Sequence, residues 1–128
     1  MAEKIAFSLV SPERELFSGQ VDAVAVPGTE GTFEVRAGHA PLMATLSPGI
    51  LEVHDGGQVR RTFVKGGFAD VSASGLTILA ERAINDTELQ GEVLTNERRD
   101  AEAVLADNDR TPEQELNARR AVDALSRY

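Results

Sequence analysis

Residues 27–42, PGTEGTFEVRAGHAPL, bring together the residue types that most often carry out chemistry in proteins. The segment holds three glycines, two glutamates and a histidine that lies between Gly38 and Ala40. A glycine-rich loop can cradle phosphate, a histidine can act as a general base, and glycine turns can shape a docking surface. The surrounding sequence discriminates between these three interpretations.

The glycines do not form a phosphate-binding motif. A P-loop needs the pattern G-x-x-x-x-G-K-[ST], in which the lysine reaches the phosphates. No such pattern occurs, no lysine lies between Lys4 and Lys65, and the dinucleotide pattern G-x-G-x-x-G is also absent. We therefore expect these glycines to supply positive φ angles in turns.

The histidines do not predict a catalytic or metal site. A catalytic histidine needs a nucleophile or an orienting acid. Glu34 and Ser47 lie near His39 in the sequence, but every small domain has such neighbours, so their proximity does not indicate catalysis. His54 is the only other histidine, and two histidines without a motif do not make a metal site. We expect His39 to hydrogen-bond its own backbone or a partner, and we predict no catalytic residue, metal or cofactor.

The composition excludes several classes of protein. At 128 residues and 41% hydrophobic, the chain can bury the core of one domain, or of a small domain with an appendage. Its net charge is −8 and no run of Lys or Arg exceeds two residues, which argues against nucleic-acid binding. Cysteine is absent, which excludes disulfides and thiolate metal sites. Because no apolar run approaches the length of a membrane helix and no signal-peptide core is visible, we expect a soluble, non-secreted protein.

The chain to about Arg82 has the rhythm of β-strands. Runs such as KIAFSLV, QVRRTFV and GFADVSAS alternate with turn strings such as PGTEG, DGG and KGG. In QVDAVAVPG the alternation places Val21 and Ala23 on one face, and Val24 and Val26 on the other. Many short β-rich runs between Gly/Pro turns indicate an antiparallel sandwich or barrel, with two sheets packed face to face.

After Arg82 the pattern becomes helical. TELQ, from Thr87, has the form of a capping box for a helix that runs to about Ala106. ADNDR interrupts the pattern, and TPEQ gives a second capping box with Thr111 as N-cap and Pro112 at the first helical position. Two helices joined by a short polar turn form an antiparallel hairpin.

The hairpin has a thin apolar face. In the second helix the stripe consists of Ala118, Ala121, Val122 and Leu125. We interpret ERRDAE, residues 97–102, as a solvated face of the first helix. Because short helices are only marginally stable alone in water, each helix must pack against the other, against the sandwich or against a partner. We expect the hairpin to be the more mobile half.

These patterns predict a fold that is mainly β with a small α part. Residues 1–83 form an N-terminal antiparallel β-sandwich or barrel, and residues 84–128 form a C-terminal antiparallel α-helical hairpin. An interaction module is the favoured class. A regulatory module that senses nucleotide by binding ATP remains an alternative, and a free-standing β-sandwich enzyme would need a polar cluster that the sequence does not supply.

Several strings of the first half occur in an order that characterises one family. They are LVSPERELFSG (9–19), VPGTEGTFEV (26–35), GHAPLMATLSPG (38–49), VKGGFADV (64–71) and LTILAERA (76–83). Together they resemble the epsilon subunit of the bacterial F-type rotary ATP synthase. The helical half is similar in architecture and only loosely in sequence.

The resemblance implies a non-catalytic subunit of the central stalk. In this family the sandwich docks on the gamma subunit and on the polar loops of the membrane c-ring, rotates with them, and helps to couple proton flow to ATP synthesis. The chain would then be a peripheral subunit at the cytoplasmic face of the bacterial inner (plasma) membrane, associated with the membrane only through the complex.

The resemblance also implies the contact residues. GTEGTFEV is similar to the family loop that touches the c-ring, which implies contacts at Glu30, Gly31 and Thr32. AGHAP resembles the neighbouring rotor-facing turn, which implies that His39 lies near gamma or the c-ring. Tight glycine turns hold small polar tips in fixed positions on a rigid scaffold, as such a role requires.

The resemblance implies two positions for the hairpin. It can lie on the sandwich, or extend along gamma into the catalytic alpha/beta hexamer and inhibit ATP hydrolysis. There Arg119, Arg120 and Arg127, on the side of the second helix away from its apolar stripe, could meet acidic loops of the catalytic subunits; a solvated face is the alternative, and it is the favoured interpretation. Glu113 and Asp123 share that side and the helix is short, so we expect weak inhibition.

Some family members carry a nucleotide-binding motif, Ile/Leu-Asp-x-x-Arg-Ala, at the start of the first hairpin helix. The corresponding string here is LQGEVL, residues 89–94, with Gln90 in place of the aspartate and Val93 in place of the arginine. Because both charged groups are absent, we expect no nucleotide-binding residues.

Overall fold

The computed structural model describes residues 3–128, which form eight strands followed by two helices. The strands are β1 (Ile5–Val10), β2 (Glu15–Val21), β3 (Ala23–Gly28), β4 (Gly31–Val35), β5 (Leu42–Thr45), β6 (Gly49–Asp55), β7 (Gln58–Ser72) and β8 (Gly75–Asn85). A 3-10 turn (Asp86–Glu88), α1 (Gly91–Ala106) and α2 (Pro112–Leu125) complete the chain. The predicted fold class, a β-sandwich followed by a helical hairpin, is confirmed.

The two layers of the sandwich share their longest strands. The first half of β7 pairs with β6 and its second half with β5, while β8 lies antiparallel to both halves. β3 and β4 extend the sheet beyond β6, and β1 and β2 extend it beyond β8. One pair departs from the antiparallel prediction: β1 lies parallel to β8. These strands are far apart in the chain, so no hairpin turn dictates their relative direction.

The string KGG is not a turn between strands, because β7 continues through it. Gly66 and Gly67 have φ angles of +73° and +114°, and the pairing with β8 keeps one register on both sides of them. A Cβ at Gly67 would collide with the main chain of Leu79. The two glycines therefore bend one strand from the first sheet into the second.

The run QVDAVAVPG is two strands, not one. β2 ends at Val21 and β3 begins at Ala23. Between them the Asp22 amide donates a hydrogen bond to the His54 carbonyl (3.0 Å), and its carboxylate accepts one from the Gly56 amide (2.9 Å). The predicted alternation across Asp22 is therefore wrong, since the chain changes direction there.

The main core lies between the layers of the sandwich. Its members share almost complete burial, and among the most buried are Leu9, Val21, Val24, Val26, Val35, Leu51, Val64 and Ile78. Burial of branched aliphatic side chains from both layers is the main source of stability in such a fold.

One of the two predicted capping boxes forms. The Gln114 amide donates to the Thr111 hydroxyl (3.1 Å), and the Thr111 amide donates to the Gln114 side chain (2.9 Å). The box predicted from Thr87 is wrong, since Thr87 lies in the 3-10 turn and α1 begins only at Gly91. The intervening Leu89 is buried in the second core, and its φ of −82° and ψ of 71° are not helical.

The hairpin rests on the sandwich through a second, smaller core. Its buried members are Phe63, Ile84, Leu89, Ala101, Ala121 and Leu125. The predicted stripe of α2 is confirmed, because Ala118, Ala121 and Leu125 are buried and Val122 packs at the margin.

The prediction of a solvated face at residues 97–102 is wrong at two positions, Glu97 and Ala101. Glu97 is only 2% exposed, although Arg99, Asp100 and Glu102 are exposed. Its carboxylate faces the sandwich and accepts a hydrogen bond from Arg82 Nε at 3.0 Å. Glu97 thus belongs to the contact between hairpin and sandwich.

Candidate docking surface

The turn that joins β3 to β4 forms an exposed tip with a fixed base. Glu30, Gly31 and Thr32 are exposed, and Gly31 has a φ of +127°. At the base the Thr29 amide donates to the Thr45 carbonyl at 3.0 Å. The tip therefore presents small polar groups on a backbone that its neighbours hold in place.

His39 lies in the loop between β4 and β5. Its Nδ1 is 2.7 Å from the Ala40 carbonyl oxygen, and its amide donates to the Arg36 carbonyl at 3.1 Å. The prediction that His39 hydrogen-bonds its own backbone is confirmed. The ring also lines an open groove of about 540 Å³, beside Gln20 and the turn between β7 and β8.

The structure does not bring the tip and His39 together. They lie at opposite ends of β4, whose five residues span about 16 Å at about 3.3 Å per residue. The tip is next to the end of β5 at Thr45, whereas His39 precedes its start at Leu42. A single partner surface would have to span the length of the sandwich to touch both.

Exposed apolar side chains lie between these two ends, on the outer face of β5, β7 and β8. Met43, Phe68 and Leu79, here called the apolar face, are 69%, 52% and 51% exposed. Phe68 is directly opposite both Thr45 and Leu79 in the sheet. None of the contact residues predicted from the sequence is among them.

Strand alternation could have identified the apolar face. Ala69 and Ile78 are completely buried, so the neighbouring Phe68 and Leu79 must point outward, because successive side chains alternate between the faces of a strand. Asp70 also lies on the outer face, opposite Met43, and gives the patch a polar rim.

The three arginines of α2 have different surroundings. Arg119 is exposed and its Nη2 is 3.4 Å from Glu115 Oε1. Arg120 and Arg127 line an open groove of about 550 Å³ between α2 and the sandwich, which the tip residues Gly31 and Thr32 also line. The folded hairpin thus brings Arg120 and Arg127 close to the tip, with Arg120 half-buried and Arg127 exposed.

The shifted carboxyl groups mark structural ion pairs. A hydrogen bond from Arg61 lowers the pKa of Glu52, as one from Arg14 does for Glu88. Burial raises the pKa of the Tyr128 hydroxyl. None of these pKa values moves towards neutrality, where a general acid or base operates best.

The start of α1 offers no charged group at the two motif positions. The Gln90 side chain donates to the Thr87 carbonyl at 3.3 Å, and Val93 is exposed. Within residues 3–128 no group of three or more His, Asp or Glu side chains is arranged to hold a metal ion. No helix in the same range is long and apolar enough to span a bilayer.

The sandwich matches a known family model. Residues 4–86 match the model described as ATP synthase, Delta/Epsilon chain, beta-sandwich domain. A protein of Parvibaculum lavamentivorans named ATP synthase epsilon chain is 54% identical over 110 residues, covering 85% of this chain and 80% of that protein. A protein of Maricaulis maris with the same name is 54% identical over 101 residues, covering 79% of this chain and 76% of that protein.

A solved structure resembles the whole chain. One chain of the cryo-EM structure of the Euglena gracilis mitochondrial ATP synthase, OSCP/F1/c-ring in rotational state 1, superposes with a TM-score of 0.72 at 26% identity. The match covers 98% of this chain and 79% of that chain, so it includes the hairpin as well as the sandwich.

Proposed function

The chain belongs to the epsilon-chain family of ATP synthase, a family of non-catalytic subunits, and from that membership we propose that it docks on the gamma subunit and on the c-ring. In this role it turns with the central stalk and helps to couple proton flow to ATP synthesis. The apolar face of the sandwich is the observation that carries the proposal.

Gamma covers the apolar face in this proposal. Contiguous exposed apolar residues with a polar rim are uncommon on free-standing proteins and mark surfaces that a partner buries. Phe68 and Leu79 form a cross-strand pair on a two-layered scaffold, so their side chains are presented without a large ordering cost on binding. An aromatic ring at the centre of such a patch is a typical energetic anchor.

The c-ring contacts the tip at Glu30, Gly31 and Thr32. The tip is exposed, small and polar, which suits the polar loops of a membrane ring better than an apolar groove would. The Thr45 carbonyl that anchors the tip belongs to the residue opposite Phe68, so tip and apolar face are continuous. His39, at the other end of the sandwich, then lies nearer gamma than the ring.

The hairpin has a secondary role. In its observed position it covers Phe63 and Ile84 of the sandwich, and it can reach the catalytic alpha/beta hexamer only after leaving them. Arg119, Arg120 and Arg127 then become the residues that meet the catalytic subunits, with weak inhibition of hydrolysis. The complex holds the chain at the cytoplasmic face of the bacterial inner membrane.

Binding to purified gamma tests the proposal. Phe68→Ser removes the central ring of the apolar face, and we expect binding to weaken at least about tenfold, as for an interface anchor. Val59→Ser is the matched control, because Val59 is also an exposed apolar residue of β7 but lies in its other half. Equal binding by the two variants would refute the assignment of this face to gamma.

An ATP-sensing module is the other candidate function. Calorimetry separates the two, because heat on adding micromolar ATP would favour the sensor. We expect none, since Gln90 and Val93 occupy the positions of the charged motif residues.

A further inference from the structure

Glu97 is the one buried carboxylate among the residues that the structure describes. Its Oε1 lies 3.0 Å from Arg82 Nε and 3.9 Å from Lys65 Nζ. The cations themselves are partly in water, since the Arg82 side chain is 46% exposed and that of Lys65 is 32% exposed. Glu97 therefore needs a nearby cation to compensate its buried charge, whereas Arg82 and Lys65 are partly compensated by water.

These groups join the two parts of the chain. Lys65 and Arg82 face each other across β7 and β8, next to the bend, whereas Glu97 projects from the middle of α1. The contact is thus a carboxylate of the hairpin inserted against two cations of the sandwich.

Apart from an exposed ion pair between Arg14 and Glu88 at 2.7 Å, the rest of the contact is a small apolar core. Only Phe63 and Ile84, with the partly buried Ile50, represent the strands in the second core. The main core of the sandwich shares no buried residue with it. Lifting the hairpin would therefore leave the main core intact, and the short turn Asp86–Glu88 would remain as the covalent tether.

Long-range charge opposes the contact. Residues 86–128 contain six Lys or Arg and eleven Asp or Glu, and residues 1–85 contain seven and ten. Both parts are net negative, so they repel each other at low ionic strength. The ion pair of Glu97 with Arg82 is a local attraction that opposes this repulsion.

We propose that Glu97 is an electrostatic latch, and that Arg82 decides whether the hairpin stays on the sandwich. Without the guanidinium, the carboxylate would be buried with only the more distant Lys65 to compensate it, which is strongly unfavourable. The carboxylate regains water only when α1 lifts off the sheet. Release exposes Phe63 and Ile84 together with the apolar stripe of the hairpin.

The latch predicts an asymmetry between its two halves. Arg82→Gln leaves a buried charge behind, whereas Glu97→Gln leaves a guanidinium that is already half in water. Neutralising both removes the unpaired charge, so the double variant should behave like Glu97→Gln and not like Arg82→Gln. An ion pair with both partners in water would show no such order.

Hydrogen exchange on the isolated full-length chain tests this. For Arg82→Gln we expect amides of α1 and α2 to exchange at least about tenfold faster, with the strands unchanged. For Glu97→Gln and the double variant we expect less than about threefold. Arg36→Gln is the control, because Arg36 pairs with Glu34 at 2.7 Å and both residues belong to the sandwich.

Three results would overturn the latch. In the first, the amides of α1 and α2 exchange no faster in Arg82→Gln than in Glu97→Gln. In the second, the amides of α1 and α2 exchange as fast in the double variant as in Arg82→Gln. In the third, the strands lose protection together with the helices, which would mean unfolding and not release. Because the assay contains no gamma subunit, its outcome is independent of the docking proposal.

Discussion

The main chain of Leu79 on β8 occupies the space that a Cβ on Gly67 of β7 would need. The φ of Gly67, +114°, is also one that residues with a side chain rarely adopt. The bend between the two sheets therefore requires glycine for two separate reasons, and it positions Phe68, the next residue, on the apolar face.

We expect Gly67→Ala to destabilise the sandwich by about 2–5 kcal/mol, from backbone strain together with steric overlap. Urea denaturation measures the loss. Gly56→Asn is the control, because Gly56 has a φ of +59° with open space around it, and asparagine tolerates that conformation at a cost below about 1 kcal/mol. Similar losses for both variants would contradict the steric account of the bend.

The stability of the sandwich should fall on acidification through the Glu52 carboxyl. The hydrogen bond from Arg61 lowers its pKa in the folded chain, from an ordinary value of 4.5. A carboxyl of this kind stabilises the fold above its unfolded pKa, and the contribution disappears as the pH falls through the folded pKa. Both side chains are about one third exposed, so the effect should be small.

Arg61→Gln removes this contribution. We expect the variant to be less stable than the parent chain at pH 7, and the difference to shrink as the pH falls below 4.5, the ordinary value for Glu52. Denaturant midpoints measured from neutral to acidic pH give the comparison. A difference that stays constant over this range would show that the ion pair is not its origin.

The orientation of the sandwich can be tested by crosslinking in the assembled enzyme. We expect Thr32→Cys to form a disulfide with a cysteine in the polar loop of the c-ring, because the tip is exposed and fixed at its base. Ser74→Cys is the control, since the turn between β7 and β8 lies at the end of the sandwich near His39. Crosslinks from Ser74 alone would mean that the domain is the other way up.

The hairpin should inhibit ATP hydrolysis only weakly. We expect deletion of residues 110–128 to raise ATP hydrolysis by less than about threefold, because exposed ion pairs contribute only about 0–1 kcal/mol each. Arg119 is already engaged by Glu115 in the folded hairpin. ATP synthesis should be preserved. A severalfold larger rise in hydrolysis would show that α2 reaches the catalytic sites.

The sequence predicted best what depends on local pattern. The capping box at Thr111 and the stripe through Leu125 follow from residues within two turns of each other, so their interactions are local. The string KGG shows the limit of such reasoning. Paired glycines supply positive φ angles in hairpin turns and in strand bends alike, and only the pairing of β7 with β8 distinguishes the two.

The burial of Glu97 could not be predicted from the sequence, because it depends on the tertiary structure. Its i+4 neighbour Ala101 gives no sign of a buried carboxylate, and its partner Arg82 lies 15 residues earlier on another element. The apolar face is an intermediate case, since alternation in GFADV predicts the outward direction of Phe68. That its neighbour across the sheet is Leu79 follows only from the strand pairing.

The passage of β7 and β8 through both sheets has a mechanical consequence. Layers that touch only through side chains can shear past each other as those side chains repack. Here sliding would also break main-chain hydrogen bonds along two continuous strands. A twisting load applied to Phe68 and Leu79 would travel along covalent backbone, through the bend at Gly66 and Gly67, into the layer beneath the hairpin. If the domain turns with the central stalk as proposed, the stiffness of that joint, and not only affinity for a partner, determines how closely the domain follows the rotation.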